Sequence, residues 1–79
     1  MMVIRNQLSG KYFIALEEEA DNDATILLIT PAGLVKRLEK RLFGRPAFVD
    51  PQDPACSEIL TEAQFNKYEE YLDTFRPRN

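Results

Sequence analysis

Between Lys36 and Arg45 the chain places five cations, Lys36, Arg37, Lys40, Arg41 and Arg45, against the single acid Glu39. A cluster of that sign can meet phosphates, an acidic protein surface or anionic lipid headgroups. Other chemistries have less to work with. The absence of histidine removes the commonest general base and metal ligand, together with any Ser-His or Cys-His nucleophile pair. Cys56, the one cysteine, lies in PACSE with no basic residue beside it in sequence to favour the thiolate, and reads as an inert, half-buried thiol.

Carboxylates are numerous, notably Glu17 and Glu19, and Glu69, Glu70 and Asp73. Acid-base catalysis needs two of them in differently desolvated places within a cleft, and so short a chain has little volume for one. They read as solvated faces. The run Glu17, Glu18, Glu19, Asp21 and Asp23 lacks the glycine that a helix-loop-helix calcium loop requires at its sixth position. It reads as a charged hairpin tip, which also discourages edge-to-edge association of strands. Gly10, Gly33 and Gly44 build neither a phosphate-binding loop nor a dinucleotide turn. The expectation is a protein that is not an enzyme, with no cofactor, no metal site and no evident small-molecule substrate.

Composition sets outer limits. The chain has 79 residues, 44% apolar and 29% charged, and a net charge of −3 from 13 acids and 10 bases. A general nucleic-acid binder is normally strongly basic, so that balance disfavours one. One domain over residues 1–79 is expected, and a chain of this size hides only about 60% of its unfolded surface on folding. No apolar run approaches the roughly 18 residues needed to cross a bilayer. The start, MMVIRNQLSGK, lacks the marks of a secretory leader, and a lone cysteine suits a reducing compartment. A cytoplasmic location is the expectation.

Positioning the cations requires elements. Met2 to Arg5 is a short apolar start, Ser9 and Gly10 offer a turn, and Lys11 to Glu17 reads as a central strand, apolar on both sides. Ala24 to Thr30 is a continuous apolar run and reads as a buried strand. Thr30 to Gly44, TPAGLVKRLEKRLFG, reads as a helix. Thr30 is a natural N-cap, Pro31 follows at the first helical position, Ile29 and Leu34 can form a staple, and Gly44 and Pro46 end the run. Helical spacing puts Leu34, Val35, Leu38 and Leu42 on one face and Lys36, Arg37, Lys40 and Arg41 on the other.

From Arg45 to Leu60, Pro46, Pro51 and Pro54 exclude regular helix through most of a long connection, within which Phe48 and Val49 can add an edge strand. Thr61 and Gln64 form a capping box at the start of a last helix, Thr61 to Phe75, with Leu60 and Phe65 as its staple. Phe65, Tyr68, Leu72 and Phe75 recur along it as an aromatic stripe, with Tyr71 at its margin. The expected fold is α+β: an antiparallel sheet of about three strands with two helices packed on one face, in the order β-β-β-α-loop-α. A ribbon-helix-helix DNA binder is set aside, because the connection between helices is too long and ILLI lacks the alternating polar residues that reach into a groove.

These elements point to a non-catalytic interaction module. A protein partner, or a second copy, would meet the basic helix face of Lys36, Arg37, Lys40, Arg41 and Arg45, with Phe48 of the proline-rich loop and Tyr71 adding apolar contact. Nucleic acid or another polyanion is the alternative on the same face, and membrane binding the weakest reading. Tyr71 and Phe43 are the test, since exposure of both would mark an interface. The proposal depends on a helix over Thr30 to Gly44 and on cations that the molecule's own carboxylates leave unneutralised.

Overall fold

The structure is a computed structural model that describes residues 1–16 and 24–75. Five strands form one antiparallel sheet: β1 (Met2–Arg5), β2 (Tyr12–Ala15), β3 (Thr25–Ile29), β4 (Val35–Glu39) and β5 (Ala47–Phe48), in the order β4-β3-β2-β1-β5. A 3-10 turn (Lys40–Leu42) joins β4 to the β5 path, one helical turn α1 (Cys56–Ile59) follows, and α2 (Glu62–Phe75) ends the described chain. The α+β class stands. The sheet has five strands where about three were expected, and there is one main helix where two were expected. The expected acidic hairpin tip lies outside the described residues.

The helix expected over Thr30 to Gly44 is absent. In its place Thr30 to Leu34 is a hairpin turn: the Gly33 N–H donates to the Thr30 carbonyl at 2.8 Å and the Thr30 N–H to the Leu34 carbonyl at 2.8 Å. Gly33 has φ +82, the left-handed residue that converts a type I turn into a three-residue hairpin loop. Thr30 caps nothing helical; its Oγ1 accepts the Leu34 N–H across this turn at 3.2 Å. Residues 35–39 then pair with 25–29, from Ile29 opposite Val35 to Thr25 opposite Glu39. Leu34, expected in a staple with Ile29, is 51% exposed.

β2 is central, as its two apolar faces require. One face of the sheet gathers Ile4, Phe13, Ala15, Ile26, Leu28 and Phe43, with Met2, Leu38 and Leu42 against them. The other gathers Val3, Ile14, Ile29, Cys56 and Leu60, covered by Phe65 and Tyr68 of α2. Phe43 meets Phe13 edge-to-face, with centroids 5.0 Å apart, a pairing that adds to area burial alone.

The sheet cannot be flat. Its outer strands, β4 and β5, lie four interstrand spacings apart, about 19 Å if laid out in a plane. Yet Phe43, which bridges to Asn6 beside β1, follows Glu39 by a stretch that reaches about 14 Å even when fully extended. The Gln7 N–H on the Leu42 carbonyl (2.8 Å) and the Gly44 N–H on the Arg5 carbonyl (2.9 Å) continue that pairing. The sheet therefore curls toward a half-closed barrel around the Phe13–Phe43 cluster.

Gln64 locks α2 to the sheet. It is fully buried; its Nε2 donates to the Tyr12 carbonyl at 2.9 Å and to the Ile29 carbonyl at 3.3 Å, and its Oε1 accepts the Thr61 N–H at 2.9 Å. With the Gln64 N–H on Thr61 Oγ1 at 3.2 Å, this is the expected capping box, and the same side chain also ties β2 and β3. Gln64→Leu is expected to destabilise the fold by about 2–4 kcal/mol, because it strands buried carbonyls and removes the cap; urea unfolding followed by circular dichroism measures it. Gly33→Ala should cost about 1–3 kcal/mol in the same assay, since the position needs positive φ and a Cβ there would lie 2.9 Å from the Ala63 carbonyl oxygen of α2.

Candidate functional site

Strand geometry redistributes the five cations. Alternation along β4 puts Val35, Arg37 and Glu39 on one face and Lys36 and Leu38 on the other. Lys36 stands opposite Leu28 and Leu38 opposite Ile26, so Lys36 shares the face of the Phe13–Phe43 cluster. Lys40 continues that row, its N–H bonded to the Ala24 carbonyl at 2.8 Å. Arg37 falls on the opposite face. Arg41 turns back to Glu39, Nε to Oε2 at 2.7 Å, with both side chains largely exposed; such a pair contributes little to stability.

Arg45 joins the row from the other edge of the sheet. It lines a cavity of about 270 Å³ with Lys40, Gly44 and Pro46 over Ile4 and Ile26. The curl makes this possible, because it brings the start of the β5 path beside the end of β4. No carboxylate is among the described lining residues. Lys40 and Arg37 each have an interaction of their own, whereas neither Lys36 nor Arg45 has an ion-pair partner among the described residues.

Phe48 belongs to the same face. Its Cα partner is Met2, whose neighbour on that face of β1 is Ile4, and the residue is 74% exposed. Tyr71 does not join them. It lies on α2, in the layer covering the other face of the sheet, is half-buried and has an interaction of its own. Phe43 is buried at 6%, so the double exposure that would have marked an interface at Tyr71 and Phe43 is not found.

A second cavity, about 390 Å³, lies where α2 starts, lined by Lys11, Tyr12, Pro31, Glu58, Thr61 and Gln64 among others. It is the larger, but polar groups on its wall are occupied: the buried Gln64 as described, and the exposed Thr61, whose Oγ1 donates to the Pro31 carbonyl at 2.6 Å. That cavity is a seam between layers, with charges of both signs on its wall. Among the described lining residues the smaller one carries charge of one sign.

Cys56 is 3% exposed and its thiol donates to the Asp50 carbonyl at 3.1 Å. No cation approaches it in these contacts, and the residue packs as core. Among the described residues no group of acids and thiols is placed to hold a metal ion. No helix among them is long and apolar enough to cross a membrane. Reaction of Cys56 with a disulfide reagent should run roughly a thousandfold slower in the native protein than in denaturant, as for a core thiol reached through an opening of about 4 kcal/mol; an absorbance time course measures the ratio.

Sequence reasoning missed Ile4, Ile26, Gly44 and Pro46 as site residues, and strand alternation carried a signal for Ile26 alone. Once β4 is a strand, its Lys36–Leu38–Lys40 row must share a face with its neighbour's Ile26. Comparison with protein-family models, with curated proteins and with solved structures finds no match to this chain, so function must be read from the site itself.

Proposed function

We propose that the protein is a non-catalytic interaction module that binds an acidic protein partner on the face carrying Lys36, Lys40 and Arg45, with Phe48 beside them. One observation supports this reading above the rest: the curled sheet sets Lys40 and Arg45, neighbours in one basic run, on the rim of an apolar cavity floored by the sequence-distant Ile4 and Ile26, with no carboxylate among its described lining residues. The helix that first suggested the reading is gone, and the geometry that replaces it is different. Arg37 and Tyr71 drop out, Arg41 is engaged by Glu39, and the apolar floor is new.

The mechanism is steering by the cationic rim followed by docking of apolar groups. Exposed lysines and arginines raise the encounter rate with an acidic surface, and this effect weakens with salt. Affinity must come from what is desolvated on contact, here the cavity and the Phe48 ring.

Polyanion binding is the competing reading, and its arithmetic is unfavourable. Three phosphate contacts, from Lys36, Lys40 and Arg45, would give a salt slope of about −2.7, so affinity for duplex DNA would fall about 40-fold between 50 and 200 mM salt. The net charge of −3 adds repulsion.

The test is the triple variant Lys36→Glu, Lys40→Glu, Arg45→Glu. It should keep the wild-type circular dichroism spectrum and lose at least about tenfold in affinity for a purified partner in biolayer interferometry. A folded variant that binds as tightly as wild type rejects the reading. Titration with DNA and RNA at the two salt concentrations should show no binding tighter than about 100 μM at 200 mM salt, the weak end of non-specific contact.

A further inference from the structure

The cavity over Ile4 and Ile26 has a size that narrows what can fill it. At about 270 Å³ it falls below the roughly 300–1,000 Å³ of sites that enclose drug-sized ligands. One bulky apolar side chain is the better match. Its floor is apolar, since Ile4 and Ile26 are both core residues exposed by only 4%, and Pro46 adds a rigid apolar wall. The charged residues among the described lining are both cations, Lys40 and Arg45; Lys40 has an interaction of its own, which leaves Arg45 as the principal rim charge.

The rim is also held in place. The Gly44 N–H on the Arg5 carbonyl fixes the backbone immediately before Arg45, while β5 fixes it two residues on. The Arg45 side chain is thus presented from an anchored backbone and stays exposed. A guanidinium so placed suits a carboxylate, which it can take through two parallel N–H donors. An occupant must therefore be apolar at its centre and anionic at its margin.

We infer that this cavity is an anchor site for one leucine-sized or phenylalanine-sized side chain of the partner, carried in a short acidic segment whose flanking carboxylates meet Arg45 and Lys36. The inference rests on the reading of the protein as a module for an acidic protein partner, and adds where in the interface affinity concentrates. Charge alone would make any acidic segment equivalent. The anchor makes one position in the segment dominant.

The experiment is a fluorescence-anisotropy titration of two labelled, end-blocked peptides built of aspartate and glutamate, one with a central leucine and one with alanine there. Amide shifts of the protein are followed in parallel by 15N NMR. The leucine peptide is expected to bind about tenfold or more tightly, as the extra buried methyl and methylene groups require. The largest shifts should fall on Ile4, Ile26 and Gly44. Arg45→Glu should remove most of the binding, and Arg45→Lys should restore part of it.

Equal affinity for the two peptides overturns the anchor while leaving a charge-driven module standing. Tighter leucine binding with shifts concentrated elsewhere overturns it too. So does failure of both peptides to bind at millimolar concentration, whatever the triple variant shows with a purified partner. Octanoate moving the same amides more strongly than the leucine peptide would reassign the cavity to a small amphiphilic carboxylate, and so also overturn the inference.

Discussion

The shortness of the link between β4 and the β5 path governs this structure. One 3-10 turn, Lys40–Leu42, has to carry the chain from one outer strand of the sheet to the start of the other, a distance it cannot cover if the sheet is flat. Curling follows, and three features follow from curling. Phe43 is driven inward onto Phe13, the face opposite α2 acquires a closed cluster of its own, and Lys40 comes to line the same cavity as Arg45. A sheet of so few short strands would otherwise have one face packed on the helix and the other wet.

The second constraint is the joint between layers. α2 touches the sheet chiefly through β2 and β3, where Ile14 and Ile29, a cross-strand pair, are both fully buried. Gln64 enters that apolar layer with every polar atom satisfied, so its burial carries no desolvation penalty left uncompensated. Apolar contact supplies the larger part of the stabilisation and the glutamine supplies register, because only one sliding position of α2 lets a single amide reach both Tyr12 and Ile29.

Legibility in the sequence was uneven, and the reason is periodicity. The capping box at Thr61 and Gln64, the central position of β2 and the edge strand at Phe48 were readable, because each rests on a signal with one physical meaning. TPAGLVKRLEKRLFG was not. Leu34, Leu38 and Leu42 recur every four residues, which keeps one face of a helix but also one face of a strand, four being an even number. Threonine and proline before a glycine mark a helix start and also a type I turn with a left-handed third residue. Val35 and Arg37 are the positions that separate the two readings, and on this edge strand both stay exposed, so no hydrophobic pattern betrays the period. The site was hidden for the same reason. Ile4 and Ile26 looked like ordinary core, and only the curl brings them beneath Arg45.

The pairing of β1 with β5 has a consequence for how the molecule comes into being. Met1 and Val49 exchange backbone hydrogen bonds, at 2.9 and 3.2 Å, across a separation of 48 positions. During translation at about 5–20 residues per second, the first strand waits some seconds before its outer neighbour has even been polymerised. Until then Val3 and Ile4 can pack only on what precedes β5 in the chain, chiefly Phe13 and Ile14 of β2 and Ile26 and Ile29 of β3. For that interval the outer edge of β1 has its backbone groups unpaired by β5, and the nascent sheet carries an open edge.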